Sequence, residues 1–220
     1  MAEQWPDRRH LSAADKQALQ EMAADALRRN QALSFPARLW GHTLTVLRHK
    51  FWVFRYCVTA GIPWQGLCHD LSKFSRFEFW ESVRYYNGRY SPIMVCKLLN
   101  DGFSLAWLHH HGRNLHHYEA WHDDFDRGVH PIDMLYPYAV EMVCDFLGAG
   151  HAYLRSAFTY QKEYVWWQGK RRRGVAMTPH MQTFVEGTLR RIAQENSLAA
   201  LRPAATRAWY AKCVAGEVNL

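Results

Sequence analysis

The chain has 220 residues, 49% of them apolar and 15% aromatic, enough for one domain to bury a core without staples and too apolar for disorder. Lys and Arg outnumber Asp and Glu by 27 to 20, a net charge of +7 that suits a phosphate-bearing partner without demonstrating one. Five cysteines with no C-x-x-C pair exclude a disulfide framework and a cysteine zinc knuckle and point to a reducing, cytoplasmic setting; no secretory signal and no run of about 20 apolar residues is present, so no membrane segment is expected.

In chain order, residues 11–30 are rich in Ala, Leu, Gln and Glu and predict an amphipathic helix, a packing arm. After the linker ended by Pro36, a long helix is expected from about Leu39 to Thr59. Leu44, Leu47, Phe51, Phe54 and Val58 form one apolar stripe on it, and His42, Val46, His49 and Val53 form another. A helix apolar on two faces is buried, so both histidines are expected to point inward. Gly61-Ile62-Pro63 is a turn, after which helix resumes near Trp64 and carries HDLSKF, residues 69–74. Asn87-Gly88 is a stop, Ser91-Pro92 opens a short helix, and a further short helix through SLAWLHHH breaks at Gly112. The polar segment from Gly112 to Gly128 reads as loop or broken helix. Pro131 suits the first turn of a long helix from about Ile132 to Phe158. An aromatic stretch, a basic loop at Lys170–Arg173 and a helix opened by Thr178-Pro179 complete the chain. Nothing alternates like a strand, so the fold class is all-α. The organisation is an arm over 1–35, a core over 36–160 and a helical extension over 161–220, within a single structural domain. The tryptophans at 52, 64, 80, 107 and 121 read as core rather than as a stacking platform.

Histidine is the unusual residue: there are 13, six of them between His109 and His122. Imidazole and carboxylate are suitable ligands for Mn, Fe, Co, Ni or Zn. Adjacent side chains on a helix diverge by about 100°, and His69 and Asp70 can still bracket one ion lying between those directions. Lys73 lies one turn on and faces the same cavity, as a phosphate contact or as the ion-pair partner of Glu78 or Glu81. Arg113 and Asn114, beside the histidine cluster, can grip an anion.

The order of these features resembles the HD-domain superfamily of metal-dependent phosphohydrolases, in which a histidine on one helix, a His-Asp pair on the next and an aspartate on a later helix hold the metal. Its local signature is matched by His69-Asp70-Leu71-Ser72-Lys73. The stretches HKFWVFRYC, GIPWQGLCHDLSKFSRFEFWESVRYYNG, AWLHHHGRN and YAVEMVCDFLGAG, within residues 42–150, are also similar to a little-characterised family of small bacterial and phage proteins in or near that superfamily. The resemblance implies an HD-like helical bundle holding one or two divalent transition-metal ions. Its ligands would be His69, Asp70 and Asp145, with Glu141, one turn earlier, as the rival of Asp145. The first histidine is His42 or His49. Seven residues apart, about 10 Å along one face, the two do not serve the same ion, and His49 is preferred because it lies closer to the turn before His69. Extra ligands for a second ion would come from His110, His116 and His117, with His109 and His111 as alternatives.

Three functions follow. The first is hydrolysis of a nucleotide or similar small phosphoester by metal-activated water, with Asp70 orienting the water and Lys73 and Arg113 offsetting phosphate charge. The second is an HD-type di-iron oxygenase. The third is a metal-stabilised, non-enzymatic protein binding nucleic acid through residues 170–173. No P-loop and no triad-like nucleophile is present.

Overall fold

The computed structural model describes residues 13–123 and 130–218. The N-terminal stretch read as lacking a secretory signal, and the part of the polar segment from 124 to 128, lie outside them. Helix accounts for 75% of the structure and strand for 2%. Ten α-helices occur among the described residues: α1 Ala13–Gln31, α2 Phe35–Thr59, α3 Pro63–Cys68, α4 Arg76–Tyr85, α5 Pro92–Leu99, α6 Leu105–His111, α7 Tyr136–Leu154, α8 Tyr160–Arg172, α9 Pro179–Glu195 and α10 Pro203–Val214. Two short strands, β1 His122–Asp123 and β2 His130–Pro131, pair antiparallel, with His122 opposite Pro131. None of the described helices is long and apolar enough to cross a membrane.

Two compact units share the chain. One contains the described residues of Met1–Leu47 with Leu71–Arg113; the other contains Arg48–Asp70 with the described residues of Asn114–Leu220. In the first unit α4 packs against α5 and α6, and α1 against α5. Glu81 of α4 ties it to α6: its carboxylate accepts from Ser104 Oγ and, at 3.1 Å each, from the backbone N–H groups of Leu105 and Ala106. The Glu81 charge thus sits at a helix N-terminus, where unsatisfied N–H groups favour an anion. The second unit is built on α7, whose residues Val140, Val143 and Leu147 are buried with Val53 and Cys57 of α2, Trp167 of α8 and Phe184 and Leu189 of α9. Its helices start on local signals: Thr159 and Thr178 accept the backbone N–H groups of Lys162 and Met181.

Several sequence expectations change. Helix α2 begins at Phe35, before Pro36, because a first-turn proline gives up an N–H that has no partner anyway. Of its two stripes, His42, Val46, His49 and Val53 are buried, whereas Leu44, Leu47, Phe51, Phe54 and Val58 are 37–54% exposed. Trp64 and Trp80 are also exposed rather than core. Pro131 pairs in β2 instead of opening the long helix; that place falls to Pro137, in the first turn of α7. The basic run is the last turn of α8, not a loop. Lys170 is buried with its ammonium over the rings of Tyr118, Phe146 and Trp166, and Arg171 lies 3.6 Å from Glu186.

Candidate metal centre

The decisive departure is at His69-Asp70. Helix α3 stops at Cys68; His69 is extended (φ −51°, ψ 128°) and Asp70 is left-handed (φ 55°) before a 3-10 turn over Leu71–Phe74. The pair therefore lies in a break between helices, not within one. Aspartate is among the few non-glycine residues that tolerate this backbone region, at a cost of about 1–3 kcal/mol that the surroundings must hold. The break turns both side chains to the same point: His69 Nε2 is 3.2 Å from Asp70 Oδ2. Lys50, next to His49 on α2, braces the break by donating to the carbonyl oxygens of Leu67 and His69. A cation on the last carbonyls of α3 also meets the negative end of its dipole.

His49 of α2 and Asp145 of α7 complete the group. His49 Nε2 lies 3.3 Å from His69 Nε2, 3.2 Å from Asp70 Oδ2 and 3.1 Å from Asp145 Oδ1, which is itself 3.4 Å from His69 Nε2. The close approach of α2 and α7 makes this possible. It occurs at Gly148, where an added Cβ would stand 3.0 Å from the backbone nitrogen of Val53 and 3.3 Å from its Cα. Gly148 follows Asp145 by one turn, and Val53 follows His49 by one turn.

Glu141, one turn before Asp145, takes the other edge of the His69 ring. Its Oε1 is 2.9 Å from His69 Nδ1 and 3.2 Å from His116 Nδ1, and its Oε2 accepts from Gln65 Nε2 at 3.0 Å. An ionised carboxylate can only accept, so both Nδ1 atoms carry the proton. In the neutral rings the lone pair is then on Nε2. For His69 it faces Asp70 Oδ2 and Asp145 Oδ1; for His116 it faces Asp70 Oδ1 at 3.4 Å. Asp70 thus offers one oxygen to each imidazole. Asp70, His116 and His117 each place one ligand atom within 4.8 Å of the others.

Lone pairs and carboxylate oxygens gathered this closely repel unless a cation lies among them. In its absence, protons do the work. Burial would lower the His69 pKa, but the Asp70 charge and the bonds to Asp145 and Glu141 hold it well above the usual imidazole value. Burial and the nearby His69 ring likewise oppose the charge on His116, yet Asp70 and Glu141 raise it. Burial works against the carboxylates too. His49 and His69 nevertheless hold Asp145 well below its usual range, and His116 and His69 bring Glu141 to about 2. A divalent ion fits the same atoms. Ligands about 2.0–2.2 Å from one ion stand roughly 3.0–3.6 Å apart, depending on coordination number. Five of the six separations among His49 Nε2, His69 Nε2, Asp70 Oδ2 and Asp145 Oδ1 run from 3.1 to 3.4 Å, and all four atoms lie within 4.8 Å of one another.

Of the residues singled out in the sequence, the second unit therefore gathers His49, His69, Asp70, Asp145, Glu141, His116 and His117, and also contains Asn114. His42, His109, His110, His111, Lys73 and Arg113 belong to the first. There His42 packs on Phe79 and Tyr86, and burial, aided by the Lys73 charge, lowers its pKa to about 4. The carboxylate of Glu78, buried in α4, lies 2.6 Å from His109 Nδ1 and 2.7 Å from His110 Nδ1, the same one-acid, two-imidazole arrangement that Glu141 makes. The Arg113 N–H donates to the His110 carbonyl. Sequence reasoning passed over Lys50, Gln65 and the orienting role of Glu141 and Glu78. The first two stand inside the motifs HKFW and GIPWQGLCHD, where a donor beside a ligand was the available signal.

The chain belongs to the family described as "Family of unknown function (DUF5662)", whose model matches residues 38–191, a stretch that contains the whole cluster. No curated protein and no solved structure matches the chain.

Proposed function

We propose that this chain, a member of a family defined without an activity, is a metal-dependent hydrolase of small phosphoesters, related to the HD-domain phosphohydrolases. The observation that carries the reading is the convergence of His49 Nε2, His69 Nε2, Asp70 Oδ2 and Asp145 Oδ1, all within 4.8 Å of one another, in a buried place. Two imidazoles and two carboxylates from three separate chain segments are a transition-metal donor set. When bound there, a divalent ion supplies Lewis acidity, stabilising a phosphoryl oxygen and lowering the pKa of water.

The chain's own groups divide the remaining work. Glu141 keeps the Nδ1 protons of His69 and His116 in place and so aims both Nε2 atoms. Asp70, with one oxygen toward His69 and the other toward His116, is the group proposed to orient that water. Lys73, Arg113 and Asn114 are the cationic and polar groups proposed for the phosphate; Asn114 is the one in the unit that holds the cluster.

The test is reconstitution of the metal-stripped protein with Mn, Fe, Co, Ni or Zn, followed by phosphate release from a panel of nucleotides and simple esters. Turnover that vanishes in Asp70→Ala supports the reading. A fully loaded protein that hydrolyses none of the panel defeats it. The two-sided placement of Asp70 also suits a pair of irons and hence the di-iron oxygenase reading. Purified protein that carries two irons and consumes oxygen with an organic substrate would select that alternative. Nucleic-acid binding through Lys170–Arg173 draws less support, since Lys170 is buried under three rings and Arg171 is near Glu186.

A further inference from the structure

We infer that Glu141 is a positioning residue that couples the two metal-binding faces of Asp70, because one of its oxygens holds an imidazole belonging to each face. The inference rests on the metal reading above and extends it: occupancy of the two faces depends on a single carboxylate that is not itself among the four converging ligand atoms.

The geometry is specific. Glu141 and Asp145 are four residues apart on α7, so they share a face of the helix. They take opposite edges of the same ring, Glu141 Oε1 at 2.9 Å from His69 Nδ1 and Asp145 Oδ1 at 3.4 Å from His69 Nε2. The same Oε1 reaches His116 Nδ1 at 3.2 Å, and His116 Nε2 stands on the far oxygen of Asp70. Rotation of either ring therefore disturbs the acceptor of the other. Glu141 is buried, and its second oxygen is pinned by Gln65, which lies on α3 four residues before His69. A buried carboxylate on the remote nitrogen of a ligating imidazole fixes its tautomer and raises its basicity, and losing such a partner typically costs 10–100-fold in metal affinity. Here one loss strikes two imidazoles. An amide at position 141 can still accept a hydrogen bond but brings no charge, so Glu141→Gln keeps the shape and removes the basicity.

The experiment is a cobalt(II) titration of the metal-free protein, followed by visible absorption and by cobalt content per chain, with melting curves of the metal-free forms alongside. Wild type, Glu141→Gln, Gln65→Ala and His116→Ala are compared. Two binding steps are expected in wild type. Glu141→Gln should weaken both by about 10–100-fold. Gln65→Ala, which leaves the charge but frees the carboxylate to turn, should weaken the same two steps by less, and it stands in for Glu141→Gln if that variant does not fold. His116→Ala should lose the second step alone, because Glu141 still holds His69. A merely structural Glu141 would lower the melting temperature of the metal-free protein and leave the cobalt affinities unchanged, which overturns the inference. So does a Glu141→Gln variant impaired in one step only, or a wild type with a single step. Wild type that takes up no cobalt overturns the metal reading itself, a failure visible before any variant is made.

Discussion

His49 Nε2 and His69 Nε2 lie 3.3 Å apart, ring nitrogen to ring nitrogen, although one residue is in the middle of α2 and the other follows α3. At that distance two neutral imidazoles share at most one proton, and Glu141 already fixes the proton of His69 on Nδ1. A separation that is awkward for a hydrogen bond is ordinary for two ligands of one ion.

The first prediction separates the two candidate first ligands. His49→Ala and Asp70→Ala should each strip the transition metal that wild type carries, by mass spectrometry of identically prepared samples. His42→Ala should keep it, since His42 packs as a neutral ring on Phe79 and Tyr86. Metal lost from His42→Ala and kept in His49→Ala would reverse the assignment.

Metal uptake should release protons. Without metal, the surrounding carboxylates hold His69 well above and His116 above the usual imidazole value, so both rings keep their protons more tightly than free imidazole does. An ion must displace those protons, so affinity rises with pH until both rings are neutral. Calorimetry in buffers of different ionisation enthalpy measures the release; identical heats in all buffers would contradict it. Saturating metal should also raise the melting temperature, by the equivalent of about 2.7 kcal/mol at a hundredfold excess over Kd, and a chelator should reverse the gain.

Gly148→Ala should damage stability and metal binding together. The new methyl meets the Val53 backbone, which cannot rotate away, so α7 must retreat from α2. Overpacking of this kind costs about 1–3 kcal/mol. The retreat also pulls Asp145 from His49, now 3.1 Å apart. Urea unfolding and cobalt affinity check the two effects; a variant unchanged in both would show that this approach does not set the cluster.

Glu163 predicts a pH dependence of the opposite kind. It is buried in α8, its Oε1 has no hydrogen-bond partner among the described residues, and burial, with the Asp145 charge, raises its pKa from 4.5 to about 8. A carboxyl whose pKa is raised on folding contributes most below its unfolded value. Its contribution then declines as pH climbs from about 4.5 to 8 and is lost above that. The span is on the order of a few kcal/mol. Glu163→Gln should flatten the fall of the urea midpoint over that interval. Equal slopes in wild type and variant would mean that Glu163 ionises no differently in the folded chain.

Much of the cluster was legible before any fold was known. HDLSK, through the HD-domain resemblance it carries, singles out His69 and Asp70 and points to a late acid, Asp145 or Glu141. Turn chemistry was legible as well. Gly61 takes a positive φ, Ser91-Pro92 and Thr178-Pro179 open helices, and Gly112 ends one. The break at His69-Asp70 was not legible, since apolar spacing continues across it and a lone left-handed aspartate leaves no periodic trace. The burial of α2 was misread for a related reason: periodicity reports that a face is apolar, not that another element covers it.

By itself, then, the sequence determined the helical class and those helix starts that carry a local signal, such as Ser91-Pro92 and Thr178-Pro179, because capping chemistry depends on residues close together along the chain, and it named the candidate donors. Only the tertiary structure decided between His42 and His49 as the histidine beside His69 and Asp70. It also decided that Glu141 grips imidazole nitrogens while Asp145 faces the converging atoms. Those choices depend on where α2 and α7 approach, at Gly148 and Val53, and on which way one strained residue, Asp70, turns the chain. Distances of about 3 Å between residues up to 96 positions apart (145 − 49) are set by packing, which local pattern does not encode.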